Sequence, residues 1–351
     1  MSKILLYGAN GYTGRLIVEL AAEQGLSLVL AGRNEDAITS LAEESGMTPR
    51  VFDLSDPQVI ADALTDISVV LHCAGPFSRT AMPMAEACVA TGTHYLDITG
   101  EIAVFERLKH KLGAQAAQAS VMLMPGVGFD VVPSDCLARY LADKCPKADT
   151  LTLAFASQGG ISHGTATTAV ENIGEGGAIR QDGKIVSVPP AHSVREFDFG
   201  QGARTATTIP WGDVSTAHHS TKIPNISVYM ATPPSMLRMM RASRYLGWLL
   251  ASPPGQWMLK RGIPATGPDQ ATRESGWAVV IGEAQSKYGD HAAAKLSCPE
   301  AYHLTAVAAL HIACKAHSGA FLPGYQTPSS AYGPDLVLEL PGVIREDLSH
   351  I

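Results

Sequence analysis

The chain has 351 residues, 17% of them charged and 46% from the hydrophobic set, with 33 glycines and 22 prolines. A charged share below the usual ~25%, beside an ordinary apolar share, excludes disorder over most of the length and leaves room for two domains with sizeable cores. A formal charge of −7 excludes a general nucleic-acid binder, because phosphate neutralisation needs clustered Lys and Arg.

Met1-Ser2-Lys3 leads directly into Ile4-Leu5-Leu6-Tyr7. That start offers no signal h-region or cleavage site, and no apolar run approaches the ~18 residues of a membrane span, so a cytoplasmic protein is expected. Ile4 to Tyr7 reads as a short strand, Gly8-Ala9-Asn10-Gly11-Tyr12-Thr13-Gly14 as a glycine-spaced turn, and Arg15 to Ala22 as a helix. In that order they predict a phosphate site, with an ordinary strand-to-helix turn as the plainer alternative. The glycines permit a tight turn and close backbone approach, and the helix N-terminus offers unpaired N–H groups and a positive dipole end. The second strand, Leu26 to Ala31, ends in Gly32-Arg33-Asn34, with no acid between Gly25 and Asn34. An acid there would hold the ribose 2′-hydroxyl of NAD, whereas an arginine accommodates a 2′-phosphate, so NADP(H) is expected over NAD(H).

Arg50 to Leu54 reads as a strand with Asp53 near its carboxyl end, Pro57 to Leu64 as a helix, and Ser68 to Ala74 as a fully apolar buried strand running into Gly75-Pro76-Phe77. Repeated strand–helix units predict an α/β architecture: a doubly wound parallel sheet with right-handed crossovers and ligands beyond the carboxyl ends of its strands. Asp53 and Leu54 are then expected to flank the adenine, with Ala74, Gly75, Pro76 and Phe77 running toward the nicotinamide. Asp53 reads equally well as a helix N-cap ahead of Pro57. Two further strand ends, Thr93 to Glu101 and Val121 to Asp130, set ionisable groups against glycines, and Pro133-Ser134-Asp135 opens a fresh helix. Tyr95, Asp97 and Glu101 are candidate catalytic residues by position, although Asp97 serves equally as a partner for backbone N–H groups in the Thr99-Gly100 turn.

The ordered motifs Gly8 to Gly14, Ala31-Gly32-Arg33, Cys73 to Phe77, Tyr95 to Glu101 and Pro125 to Asp135 resemble the saccharopine dehydrogenase-like NAD(P)-binding family, nearest its saccharopine dehydrogenase-like oxidoreductases and trans-acting enoyl reductases. The resemblance covers about the first 135 residues and thins beyond them to Ser162-His163-Gly164-Thr165 and Pro299-Glu300-Ala301-Tyr302. It implies a Rossmann domain over 1–131, a second α+β domain with a mixed sheet over 132–300, and a C-terminal segment, 301–351, returning to the first. It also implies hydride chemistry with a nicotinamide cofactor held at Gly8, Gly11, Gly14, Arg33, Asp53, Gly75 and Phe77. Catalytic residues do not carry over with equal force, because members of the family act on different substrates.

In the second domain, Thr150 to Phe155 and Ser193 to Phe199 alternate as strands, and Gly164 to Gly177 reads as a glycine-rich helical region. His163, at a loop-to-helix junction, is a candidate for substrate contact, because imidazole exchanges protons near neutral pH; a capping or surface role is the plainer alternative. Tyr140 and Lys144 satisfy the Y-x-x-x-K pattern of short-chain dehydrogenases, but no serine donor precedes them at the required strand end, so they read as one face of an ordinary helix. The six cysteines show no metal-site or disulfide spacing, so reduced thiols and no bound metal are expected.

From Val214 to Pro268 there is no acid, while Lys222, Arg238, Arg241, Arg244, Lys260 and Arg261 contribute +6, leaving −13 on the rest of the chain. Five methionines and two tryptophans lie in this stretch. Arg238, Arg241 and Arg244 share one helical side, and Met236, Met240, Ser243, Gly247 and Leu250 another. Three readings of 230–263 remain open: a cover or homodimer interface, the lining of an acyl pocket, or a peripheral contact with an anionic membrane. The residues favour an NADP-dependent oxidoreductase with a small, hydrophobic substrate reduced or oxidised at C=C, C=O or C=N. An amino-acid or polyamine imine reductase and a non-catalytic NADP-binding sensor are the alternatives.

Overall fold

The computed structural model describes residues 3–159, 167, 176–250, 252–261 and 267–349. They form two compact units, Met1–Val132 with Tyr302–Gly333, and Pro133–Ala301 with Pro334–Ile351.

The first unit alternates β1 (Lys3–Tyr7), α1 (Tyr12–Glu23), β2 (Val29–Gly32), α2 (Glu35–Ser45), β3 (Thr48–Val51), α3 (Pro57–Ala63), β4 (Ile67–His72), α4 (Phe77–Thr91), β5 (His94–Asp97), α5 (Ile102–Gln118) and β6 (Met122–Met124). Later in the chain α11 (Ala301–His317), β15 (Gly324–Tyr325) and α12 (Pro328–Tyr332) complete it. Its seven strands are all parallel, in the order β15-β6-β5-β4-β1-β2-β3. Because β1 pairs with both β2 and β4, the winding reverses between β1 and β4, and the loops after these strands lie side by side where such sheets bind ligands. Leu5, Val29, Ala31, Val70 and Tyr95 are buried in the core beneath the helices, as expected of parallel strands covered on both faces.

The third strand lies two to three residues earlier than the sequence suggests. The edge of the sheet tolerates Pro49, while Phe52 leaves the strand, donates its N–H to the Gly32 carbonyl and packs its ring, tilted, 5.0 Å from that of Tyr7. The strand expected to be wholly apolar ends in a buried histidine. His72 lies among the rings of Tyr7 and Phe77, each 5.3 Å away, and Tyr95 at 6.2 Å. Neither of its ring nitrogens has a partner among the described residues, and burial pushes its pKa down to about 3.

The second unit holds α6 (Val132–Lys144), β7 (Thr150–Gln158), β8 (Gly177–Gln181), β9 (Lys184–Val188), β10 (Val194–Asp198), β11 (Ala203–Thr208), α7 (Asp213–Thr221), β12 (Asn225–Ala231), α8 (Pro234–Leu250), α9 (Pro253–Lys260), α10 (Gln270–Ser275), β13 (Trp277–Gln285), β14 (His291–Pro299) and β16 (Ile344–Asp347). Its nine-stranded sheet is mixed: β12 runs parallel to β7, and the other pairings are antiparallel. On one face α6 packs so closely that a Cβ added to Gly282 would lie 2.5 Å from Leu141 Cδ1. Ala154, Ala156, Phe197, Ala206, Tyr229 and Ile281 cluster in a core of their own. Arg195 places both oxygens of buried Glu283 within 3.1 Å of one guanidinium nitrogen.

Segment 301–351 divides between the units rather than returning whole to the first. Its beginning supplies α11 and β15, which pairs with β6, whereas β16 pairs with β14 from Ser297↔Ile344 to Ala294↔Asp347. The Y-x-x-x-K residues secure that last strand. Tyr140 donates to Asp347 Oδ1 at 2.8 Å, Lys144 pairs with the same carboxylate, and the Arg345 guanidinium stacks 3.7 Å over the Tyr140 ring. All six cysteines are free. Among the described residues no cluster of His, Cys, Asp and Glu could hold a metal, and no helix is long and apolar enough to cross a membrane.

Candidate functional site

The rim of the first unit's sheet, at the carboxyl ends of its strands, gathers most of the residues singled out by sequence. The glycine turn after β1 is close-packed. Gly8 has a φ of +84°, and a Cβ there would lie 2.8 Å from the Ala74 nitrogen; one on Gly14 would lie 2.4 Å from the Gly8 carbonyl oxygen and 2.7 Å from that of Ala9. Both contacts are with backbone, which cannot move aside as a side chain can. Gly8 and Ala9 donate to the Ala31 carbonyl, and Gly11 donates back to Gly8, so the loop is fixed before any ligand arrives. Gly11 caps α1 without a side chain of its own, so the turn supplies no oxygen to the helix's first N–H groups. This cradle suits a pyrophosphate. Asn10 sends its side chain toward Gly32, while the Tyr12 ring meets Tyr302 of α11 edge-on at 5.2 Å. Thr13 is partly exposed beside it.

Arg33 and Asp53 lie exposed after β2 and β3. Both act on the Tyr7 hydroxyl, whose pKa burial raises to about 12, with Asp53 adding to the shift and Arg33 opposing it. The two charges therefore share one end of the sheet, where a ribose and its 2′-substituent would sit. Asp53 is not the cap of α3. The Ser55 hydroxyl and then the Ser55 N–H, at 2.8 Å in an Asx turn, donate to its Oδ1 and hold its pKa down, while Asp56 caps the helix through Gln58 N at 2.8 Å. Leu54 packs partly against the core.

After β4 the loop Ala74-Gly75-Pro76 contains a cis Gly75–Pro76 bond and enters α4 at Phe77. Thr80 donates to the Ala74 carbonyl at 2.7 Å. The N–H groups of Phe77 and Ser78 donate to the two carboxylate oxygens of Glu101, at 2.8 and 3.0 Å. Glu101 is thus the cap of α4, with both oxygens engaged, and its role is to hold this loop in place.

Tyr95 and Asp97 are fully buried. The Tyr95 hydroxyl donates to Asp97 Oδ2 at 2.7 Å, and Asp97 Oδ1 accepts from Thr99 N at 2.9 Å and Gly126 N at 3.0 Å. Burial raises the Asp97 pKa to about 6 despite these bonds. Asp97 fastens the end of β5 to the loop after β6, the structural role that its sequence position also allowed. His163 lies outside the described residues.

The residue that sequence reading passed over is Asp130. It follows the Pro125-Gly126-Val127-Gly128 loop, and its Oδ2 would be 2.7 Å from a Cβ on Gly100, so the carboxyl lies directly against that glycine and a larger residue there would have to push it aside. Among the described residues its carboxyl group has neither hydrogen bond nor ion pair. The residue keeps some solvent contact, yet the carboxyl is crowded enough that desolvation raises its pKa to about 7. The ionisable-group-against-glycine pattern marked this loop, but its meaning depends on Gly100 arriving from the neighbouring strand. From Gly8 the rim thus runs by contact through Ala74 and Phe77 to Glu101, Gly100 and Asp130.

Residues 4–124 match the family model described as the saccharopine dehydrogenase NADP binding domain. Among curated relatives, the chain is 35% identical over 142 residues to a trans-acting enoyl reductase of Mycobacterium leprae, covering 38% of this chain and 33% of that one. It is 26% identical over 215 residues to a saccharopine dehydrogenase-like oxidoreductase of Rattus norvegicus, covering 54% and 50%. The chain thus spans half or less of the curated relatives it matches. The apo saccharopine dehydrogenase (L-Glu forming) of Saccharomyces cerevisiae shares the fold, with a TM-score of 0.70 at 11% identity over 99% of this chain and 100% of that one. The motif resemblance is borne out: the likeness runs to NADP-binding oxidoreductases of saccharopine dehydrogenase type.

Proposed function

We propose that this chain, whose residues 4–124 match an NADP-binding domain of saccharopine dehydrogenase type, is an NADP-preferring oxidoreductase acting on a C=C, C=O or C=N bond. The close-packed glycine turn supports dinucleotide binding, and exposed Arg33, with no acid beside it on β2, supports the 2′-phosphate. When bound, a nicotinamide supplies or accepts a hydride at C4. The chain's own residues bind, orient and move the proton. Thr80 and Glu101 fix the loop from Ala74 to Phe77, so a ligand meets a surface already ordered.

Asp130 is the observation that carries catalysis rather than binding alone. A carboxyl with no partner among the described residues and a pKa near 7 is divided between acid and base at neutral pH. It can give a proton to substrate as hydride arrives, and take it back in the reverse direction. Tyr95 and Asp97 do not compete for that role, because their oxygens are engaged with each other and with backbone.

The test is turnover of NADPH carrying deuterium at C4 with a panel of enoyl, keto and imine substrates, read by mass spectrometry of the product. Label transferred to any one class supports the reading and names the substrate chemistry. Tight NADPH binding with no label transferred to any class contradicts it and leaves a binding protein.

A further inference from the structure

We propose that α8 and α9 of the second unit form a docking surface for an anionic phospholipid bilayer. Four of the exposed large apolar side chains lie on these two helices: Met239 at 61%, Tyr245 at 81%, Trp257 at 59% and Met258 at 62%. On α8 the exposed side carries Arg238, Met239, Arg241, Ala242 and Tyr245, while Met236, Met240 and Ser243 lie on the less exposed side. Arg238 and Arg241 have no hydrogen bond or ion pair among the described residues. Arg244 differs from them. Its guanidinium donates to the carbonyls of Pro190 at 2.8 Å and Ala191 at 2.6 Å, which ties α8 to its own unit and leaves the other two arginines facing outward. On α9 Trp257 is exposed with the Arg261 guanidinium 4.0 Å over its ring.

Guanidinium groups interleaved with tryptophan, tyrosine and methionine suit the headgroup layer. The cations meet lipid phosphates, and the amphipathic rings and thioethers enter the acyl boundary. The charge distribution chooses this occupant over a second copy. No acid occurs from Val214 to Pro268, so a two-fold interface through this surface would set arginine against arginine. The rest of the chain carries −13, so an anionic surface attracts this stretch and not the chain as a whole.

The test is flotation of the full chain with vesicles of phosphatidylserine and phosphatidylcholine, against vesicles of phosphatidylcholine alone, at low and high salt. Binding is expected only to the anionic vesicles, and it should weaken as salt rises. Arg238→Gln with Arg241→Gln should lower partitioning about 25-fold, from roughly fivefold per charge removed. Trp257→Ala with Met258→Ala should lower it at both salt concentrations. Hydrogen exchange of peptides from β12 and β13 should be unchanged in both double variants, which shows that the second unit is folded. No binding at low salt, equal binding to neutral vesicles, or wild-type partitioning by the arginine variant each overturns the proposal. So does a wild-type dimer that Met239→Glu converts to monomer in sedimentation, since the surface is then a contact between copies.

Discussion

Replacing Asp130 with asparagine keeps the shape of the side chain and removes the only group in the loop after β6 that titrates near neutrality. The wild-type carboxyl has a pKa of about 7 in the folded chain and 3.8 as its ordinary value. The native state therefore holds the proton more tightly than the unfolded one. Stability from this group is full below pH ~4 and is lost as pH rises toward ~7, where the native state must carry a crowded negative charge. About three pKa units at ~1.4 kcal/mol each gives an upper bound near 4 kcal/mol; solvent contact at the residue lowers this to about 1–3 kcal/mol. Asp130→Asn should thus match wild type at pH 4 and exceed it by that amount at pH 8. All four tryptophans lie outside the first unit, so fluorescence would report the wrong part of the chain. Hydrogen exchange of peptides from β5 and β6 reads the relevant opening free energy. The same variant should lose about 10²–10⁴-fold in kcat/KM. Parallel pH–stability curves for the two proteins, or an unchanged pH–rate profile, would refute this account of Asp130.

Gly14→Ala places a methyl group against two backbone carbonyl oxygens. It should open the turn, lower NADPH affinity at least about tenfold and cost about 1–3 kcal/mol, as read by fluorescence titration and hydrogen exchange; wild-type affinity would mean that the close packing is not what forms the cradle. His72 must stay neutral in its aromatic box, with a folded pKa of about 3 against the ordinary 6.5, so wild type loses stability as pH falls below 6.5. His72→Phe removes that loss and should be more stable than wild type by about 2–3 kcal/mol at pH 4.5 relative to pH 7.5, checked by exchange in β4 peptides. Glu101→Ala leaves the Phe77 and Ser78 N–H groups without their carboxylate. A cost of about 1–2 kcal/mol and a raised KM for NADPH should follow with no change in the pH–rate profile, whereas a displaced pH profile would return Glu101 to proton transfer.

The first unit was legible because its signals are local. Gly8, Gly11 and Gly14 sit between an apolar run and a helix, and the same strand-to-turn sequence recurs through Gly75 and Gly126. Strand ends were less so: nothing local distinguishes Arg50 to Leu54 from Thr48 to Val51 until Phe52 is drawn into the core beside Tyr7. Contacts between loops stayed hidden. Glu101 reaches back 24 residues to Phe77, and Asp130 gains its meaning from Gly100, 30 residues away, so neither relation has a sequence period. His72 was hidden by its company, since one ionisable residue in an apolar run does not alter the strand pattern. In the second unit, the absence of acids from 214 to 268 was visible in composition, but which arginines face outward was not. Arg244 shares its spacing with Arg238 and Arg241 and nevertheless turns to the Pro190 and Ala191 carbonyls.

The central claim is that the rim of the first sheet binds a nicotinamide dinucleotide and prefers the one with a 2′-phosphate. Calorimetric titration of the full chain with NADPH and NADH, repeated with Arg33→Ala, tests it most directly. Tighter binding of NADPH is expected, with about 10–100-fold of that preference lost in the variant and NADH affinity nearly unchanged, the range of one charge-assisted hydrogen-bonded contact. Equal affinity for the two cofactors in wild type, or a preference that survives Arg33→Ala, would contradict it.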